Sequence, residues 1–144
     1  MSAAADLLDV NVWLALSFEG HPQHKAALKA WSHLTRPSFC RITQLGLLRL
    51  LCNPLVMGSA VLEPEMAWAV YEQLPHGSAV EFVDEPAGLD ARLKHHTRGA
   101  RAARDFWTDA YLAAFAKCAG LRLVSFDAGF TRYEELALLK LETV

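Results

Sequence analysis

The chain reads as an α/β layered domain with a central, mostly parallel sheet, and three observations predict it. Short apolar runs of strand length alternate with longer stretches of helical spacing, glycine and proline breaks separate them, and two of the strand-like runs lead directly into a carboxylate. The opening run, Leu7-Leu8-Asp9-Val10-Asn11-Val12-Trp13, sets the pattern: an apolar strand delivers an acid and then breaks into a helical repeat. In such sheets ligands sit beyond the C-terminal ends of the strands. Asp9 and Asp127 both occupy such ends.

At 144 residues and 53% hydrophobic, the chain buries one sizeable core and reads as a single domain over 1–144. Fourteen Lys and Arg against sixteen Asp and Glu give a net charge of −2, which excludes a general attraction to nucleic acid or membrane and confines any polyanion site to a local patch. Cys40, Cys52 and Cys118 are too few and too far apart for a disulfide framework or zinc knuckle, and fit buried, reduced thiols of a cytosolic protein. The first apolar segment lacks a basic flank and is interrupted by Asp9 and Asn11, which argues against a signal peptide. No uncharged run approaches the roughly 18 residues of a membrane span, so a cytoplasmic protein without a membrane partner is expected.

Taken in order, Asn11 is expected to cap a short helix over Val12 to Leu16. Glu19-Gly20-His21-Pro22 is a turn, and Pro22 suits the first position of a helix from about Gln23 to His33. Arg36-Pro37 breaks that helix, Ser38 to Ile42 is a second strand, and Thr43 begins a helix through Leu51 with Leu45, Leu48 and Leu51 on one face. Asn53-Pro54 ends it, and a loop with Met57-Gly58-Ser59 leads to a helix around Pro64 to Leu74. After the break at Pro75-His76-Gly77, a third strand covers Ala79 to Val83 and a short helix Leu89 to His96. The basic stretch Arg98 to Arg104 precedes an apolar helix from about Asp105 to Ala119, closed by Gly120. Leu121 to Ser125 is the fourth strand, residues 126–130 a turn, and Leu138 to Val144 a last edge strand.

If the first and fourth strands are neighbours, Asp9, Asp109 and Asp127 point into one cleft. Three anions that close raise one another's pKa unless a cation neutralises them. Mg²⁺ or Mn²⁺, hard ions that take carboxylate oxygens and retain water, are the simplest candidates. Such a site suits hydrolysis of a phosphodiester. Singly, each Asp has a plainer reading as a cap, turn or helix-dipole residue; three at matching topological positions carry the functional one. Asp105, four residues before Asp109 and on the same face if the helix already includes it, is read as the cap of its helix in preference to a further metal ligand.

Four segments, Leu7-Leu8-Asp9-Val10-Asn11-Val12, Thr43-Gln44-Leu45-Gly46-Leu47-Leu48-Arg49, Asp109-Ala110-Tyr111-Leu112-Ala113-Ala114-Phe115-Ala116 and Leu123-Val124-Ser125-Phe126-Asp127-Ala128-Gly129-Phe130, resemble the successive motifs of PIN-domain ribonucleases. The branch they most resemble is the VapC toxin of bacterial toxin–antitoxin pairs. The resemblance implies a three-layer α/β/α PIN-like fold, metal-dependent endonucleolytic cleavage of RNA, a cognate antitoxin that blocks the site, and a homodimer. It makes Asp9, Asp109 and Asp127 the acids of a Mg²⁺ (or Mn²⁺) site, with Asn11 at a position that is often small and polar. Thr43 and Ser125 match positions that often carry a hydroxyl, where they bond carboxylates or substrate, or act simply as a helix cap and a strand-end hydroxyl. One position departs from the family pattern: Gln44 stands where Glu is usual. Its amide binds a divalent ion more weakly than a carboxylate, cannot act as a base, and retains the ability to orient water.

Arg92, Lys94, His95, His96, Arg98, Arg101 and Arg104 concentrate positive charge before Asp109, a basic rim suited to RNA, with Arg98, Arg101 and Arg104 as the candidate RNA contacts. Each of them singly also fits a solvated face. Arg49 projects from the Gln44 helix toward an acid or a phosphate. His95-His96 and His21/His24 lack ligand partners at diagnostic spacing and read as surface histidines. The four tryptophans read as core or interface residues, Trp107 bordering the pocket. The apolar face over Leu45 to Leu51 is the candidate dimer surface. Two further readings stay open: a catalytically weak RNA-binding or regulatory module, motivated by Gln44, and a metal-dependent phosphatase, disfavoured because Asn11 stands where a second nucleophile-pair acid is needed.

Overall fold

Leu7 and Leu8, adjacent on a strand of three residues, are both fully buried, because their side chains leave opposite faces of a sheet that is covered on both sides. The computed structural model describes residues 5–74 and 80–143. Five strands, β1 (Asp6–Leu8), β2 (Pro37–Phe39), β3 (Glu81–Phe82), β4 (Arg122–Ser125) and β5 (Leu138–Lys140), form one sheet in the order β3-β2-β1-β4-β5, every pair parallel. Between them run α1 (Val10–Ser17), α2 (His24–Trp31), α3 (Arg41–Leu51), α4 (Pro54–Met57), α5 (Pro64–Gln73), α6 (Leu89–Thr97) and α7 (Phe106–Ala119), with 3-10 turns at Gly58–Ala60 and Ala128–Arg132.

Two hydrophobic clusters mark the layers. Leu7 and Leu123 pack with α7 residues such as Phe115 and with Phe130; Leu8 and Val124 pack with Trp13, Phe39 and Leu47 from the α1 and α3 side. In the second cluster the rings of Trp13 and Phe39 stack at 3.9 Å. The expected three-layer α/β/α arrangement is therefore present, and the first and fourth strands are neighbours, in register from Asp6 opposite Arg122 to Leu8 opposite Val124.

Asp6 opens β1 at 1% exposure, and its carboxylate is fully answered. Arg122 donates to it from Nε and Nη2 at 2.7 and 2.9 Å, and the Thr35 N–H at 2.7 Å. A bidentate guanidinium from the neighbouring strand is what makes a buried carboxylate tolerable.

Several boundaries differ from expectation for local reasons. The first helix starts at Val10, because Asp9 rather than Asn11 supplies the cap; Asn11 lies inside the helix. α3 begins at Arg41, with Thr43 at its third position in a capping box with Cys40. Asn53-Pro54 starts a helix instead of only ending one: Asn53 Oδ1 accepts the Leu55 N–H at 2.9 Å and Pro54 takes the first helical turn. Leu47 and Leu51 are in the core and Leu48 and Leu50 half-buried, so the expected α3 dimer face keeps only Leu45 exposed. Cys40 is buried and Cys52 and Cys118 half-buried, all as free thiols. The break at Pro75-His76-Gly77, the start of the third strand at Ala79, and Val144 lie outside the described residues.

Candidate active site

Asp9 follows β1 directly, its N–H donating to the Val124 carbonyl at 2.9 Å, so the β1–β4 pairing continues up to it. Its carboxylate is held at both oxygens: Oδ1 accepts the Val10 N–H at 2.8 Å and Oδ2 the Ser125 hydroxyl at 2.7 Å. Ser125 Oγ in turn accepts the Asp127 N–H at 3.0 Å, and Asp127 Oδ1 accepts the Gly129 N–H at 2.8 Å. One hydrogen-bonded chain thus links the ends of the two central strands, and Asp127 caps the 3-10 turn that follows.

Asp109, in the first turn of α7, closes the third side. Its carboxyl is pushed up to about 6, first by desolvation and then by repulsion from Asp9 and Asp127; Arg132 opposes the shift and Asp105 adds to it. Burial likewise raises Asp9, against the lowering effect of the Ser125 and Val10 hydrogen bonds, with Asp127 and Asp105 adding repulsion. Asp105 takes the cap position of α7, but with a left-handed backbone (φ 61°) and no capping hydrogen bond from its side chain. Its charge acts on Asp9 and Asp109 instead, so the side-chain cap preferred from the sequence over a metal-ligand role is not formed.

Among the described residues no three His, Cys, Asp or Glu side chains close into a ready-made metal cage. Mg²⁺ does not require one, since it keeps several waters and is commonly held through one or two carboxylates. The donor chemistry fits: mutually repelling carboxylates supply hard oxygen, and the Oδ1 of Asn11, two residues after Asp9, is buried with no hydrogen-bond partner.

The other candidates divide. Gln44 is buried, and its amide oxygen accepts from Arg41 Nη1, whose guanidinium lies over the Phe82 ring at 4.7 Å. Thr43 Oγ1 is engaged by Cys40, donating to its carbonyl and accepting its N–H, both at 3.0 Å, which is the cap alternative. Arg49, five positions beyond Gln44, is about 140° round the helix from it and exposed, so it turns away from the buried face. Arg98, Arg101 and Arg104 are all exposed between α6 and α7. Trp107 is 61% exposed and lies about 160° round α7 from Asp109, away from the acids. His96 is half-buried rather than on the surface, its ring packed 5.0 Å from that of Tyr133.

Arg132 and Arg41, the two cations that act on site residues, went unremarked in the sequence. Arg132 had a signal, a basic residue closing the turn that Asp127 opens. Gly46 also matters: a Cβ there would meet Val10 Cγ2 at 2.7 Å, so glycine lets α3 approach the start of α1.

Residues 7–136 match the PIN domain family profile. The chain belongs to the PIN-domain family, on its VapC branch. Ribonuclease VapC41 of Mycobacterium tuberculosis is 40% identical to this PIN domain over 140 residues, which span 92% of this chain and 95% of the relative. Among solved structures, VapBC2 from Rickettsia felis, bound to a DNA fragment from its promoter, superposes with a TM-score of 0.68 over 96% of this chain and 99% of that one at 14% identity. The Mycobacterium tuberculosis toxin VapC20, described as cleaving the sarcin-ricin loop, does so with a TM-score of 0.63 over 89% and 94% at 16% identity. At those identities the two structures establish that this PIN domain shares the fold.

Proposed function

We propose that this PIN domain is a Mg²⁺- or Mn²⁺-dependent endoribonuclease, the toxin of a toxin–antitoxin pair. The observation that carries this reading is the placing of Asp109 where burial first, and then repulsion from Asp9 and Asp127, lift its carboxyl to about 6. Acids arranged at such a cost to their own ionisation are a functional signature. The 40% identity to a named ribonuclease supports the chemistry, and the solved VapBC assembly supports an antitoxin partner.

Asp9 and Asp109 would hold the ion most directly, with Asp127 completing the site or acting through water and the Asn11 amide oxygen beside them. The ion, when bound, supplies Lewis acidity and charge neutralisation at the scissile phosphate. Ser125 keeps Asp9 oriented, and below about pH 6 Asp109 would have to give up a proton for the site to be loaded. Arg98, Arg101 and Arg104 border the approach as RNA contacts.

A protein partner, whether antitoxin or second copy, has apolar surface to cover. Leu55 on α4 is 95% exposed, and Leu45 on α3 and Met66 on α5 more than half, with α3 in contact with both of the other helices. No described helix is long and apolar enough to cross a membrane, and we place the protein in the cytoplasm, where its RNA substrate is.

The test is direct. Purified protein is incubated with RNA in Mn²⁺ and in chelator, beside Asp9→Asn. Cleavage that needs the metal and disappears in the variant, with unchanged circular dichroism, is expected; undiminished cleavage by folded Asp9→Asn would sink the assignment. A second reading, an RNA-binding or regulatory module without turnover, is favoured by the neutral Gln44 and expects RNA binding with no metal-dependent product.

A further inference from the structure

A groove of about 600 Å³ lies between α6 and the 3-10 turn Ala128–Arg132. Arg92, His95 and His96 line it from α6, Arg132 and Tyr133 from the other wall. Arg132 connects this groove to the acids, since its charge is felt by Asp109. Yet among the described residues it forms no ion pair. Its guanidinium lies over the Tyr133 ring at 4.8 Å and its Nη2 donates to the Tyr133 hydroxyl at 2.8 Å, while His96 packs on Tyr133 from α6.

A stacked guanidinium held by a neutral phenol keeps most of its donors free and gives up little freedom on gripping two phosphate oxygens. Its neighbours in the groove add a second guanidinium and two imidazoles. Two carboxylates are also present: Glu135 lies 3.7 Å from Lys117 Nζ, and Glu134 has no ion pair among the described residues.

We infer that this groove receives the backbone of single-stranded RNA on one side of the cleaved bond, with Arg132 gripping the phosphate nearest the acids. The inference rests on the ribonuclease reading and adds to it a track distinct from the exposed Arg98 to Arg104 segment. A phosphodiester chain is the ligand that a cation-loaded acid site and Arg132 would bind in common.

Anisotropy of a labelled single-stranded RNA oligonucleotide tests it, on the full-length Asp9→Asn protein over a series of salt concentrations. Arg132→Gln is expected to weaken binding roughly tenfold, as loss of a charged hydrogen-bonding group does. It is also expected to make the slope of log affinity against log salt shallower by about 0.7, the value for one single-strand phosphate contact. Arg132→Lys should keep the slope and recover part of the affinity, and Glu134→Gln should tighten binding. Tyr133→Phe, which keeps the ring but removes the hydroxyl anchor, should weaken binding less than Arg132→Gln. Affinity and slope unchanged in Arg132→Gln, with an unchanged unfolding midpoint, overturn the assignment. Wild-type cleavage in Mn²⁺ separates the two ideas. If it occurs and Arg132→Gln binds and cleaves like wild type, the groove alone fails; if no RNA is cleaved but Arg132→Gln still loses affinity and slope, the groove stands as an RNA site and the nuclease reading fails.

Discussion

Ser125 and Asp9, the strand-end hydroxyl and the strand-end acid of neighbouring strands, are joined by a 2.7 Å hydrogen bond in which the serine donates, while the same oxygen accepts the Asp127 N–H. The serine therefore fixes two of the three acids through one atom. Ser125→Ala should leave the fold intact, since only a small hydroxyl is removed, but let the Asp9 carboxylate rotate. Loss of such an orienting partner typically lowers metal affinity or activity by about 10- to 100-fold. Titration of Mn²⁺ by calorimetry, alongside cleavage rates, checks this, and equal metal affinity in the variant would contradict it.

Gln44→Glu tests the departure from the family pattern. The added charge arrives beside Arg41, which already bonds the side-chain oxygen, so much of it is neutralised before it reaches a metal. Cleavage is expected to change by less than the roughly tenfold that an outer partner commands. A switch from no turnover to rapid turnover would instead favour the binding-module reading. Arg41→Ala combined with Gln44→Glu should release the new carboxylate and produce the larger effect.

The raised carboxyl of Asp109 makes stability depend on pH in a defined direction. Between the ordinary value of 3.8 and about 6, the folded protein holds a proton that the unfolded chain has released. Metal-free protein should therefore lose stability as pH rises through that window. Urea unfolding in chelator at several pH values is the measurement. Asp109→Asn should flatten the profile there and be the more stable protein at pH 7. Added Mg²⁺ should restore stability to wild type above pH 6 and have little effect on the variant.

Gly46→Ala places a methyl 2.7 Å from Val10 Cγ2. Overpacking of this kind costs about 1–3 kcal/mol, which exceeds the roughly 1 kcal/mol that alanine gains over glycine within a helix. A net loss of stability of about 1 kcal/mol is expected in urea, with reduced activity because Val10 adjoins Asp9. The double variant Gly46→Ala/Val10→Ala should recover stability relative to Gly46→Ala, and failure to do so would locate the strain elsewhere.

The alternation of strand-like and helical runs and the acids at strand ends were legible because periodicity and apolar run length are local properties. Asp9, Asp109 and Asp127 could be singled out for the same reason. Where two residues compete for one role, local reading was insufficient: Asp9 and Asn11 both suit a helix cap, and the β1–β4 ladder, which reaches Asp9 through the Val124 carbonyl, decides between them. Asn53-Pro54 carries the same signals whether it stops one helix or starts another. The partners of Gln44 and Arg132 depend on where side chains from different elements meet, which no spacing encodes. Thr43 shows the converse, a hydroxyl that matched a functional position and is engaged in capping.

The strand order β3-β2-β1-β4-β5 makes β1 a topological switch point: the chain moves outward one way through β2 and β3, then resumes on the other side at β4. The segment after β1 enters α1, whose Trp13 joins one core cluster, and the turn after β4 sends Phe130 into the other. The backbone thus parts at the end of β1 and leaves a crevice there before any side chain is chosen. Asp9 and Asp127 stand on its two lips. The opening belongs to the chain's path through the sheet, so replacing the acids should silence the site while leaving its shape available to bind.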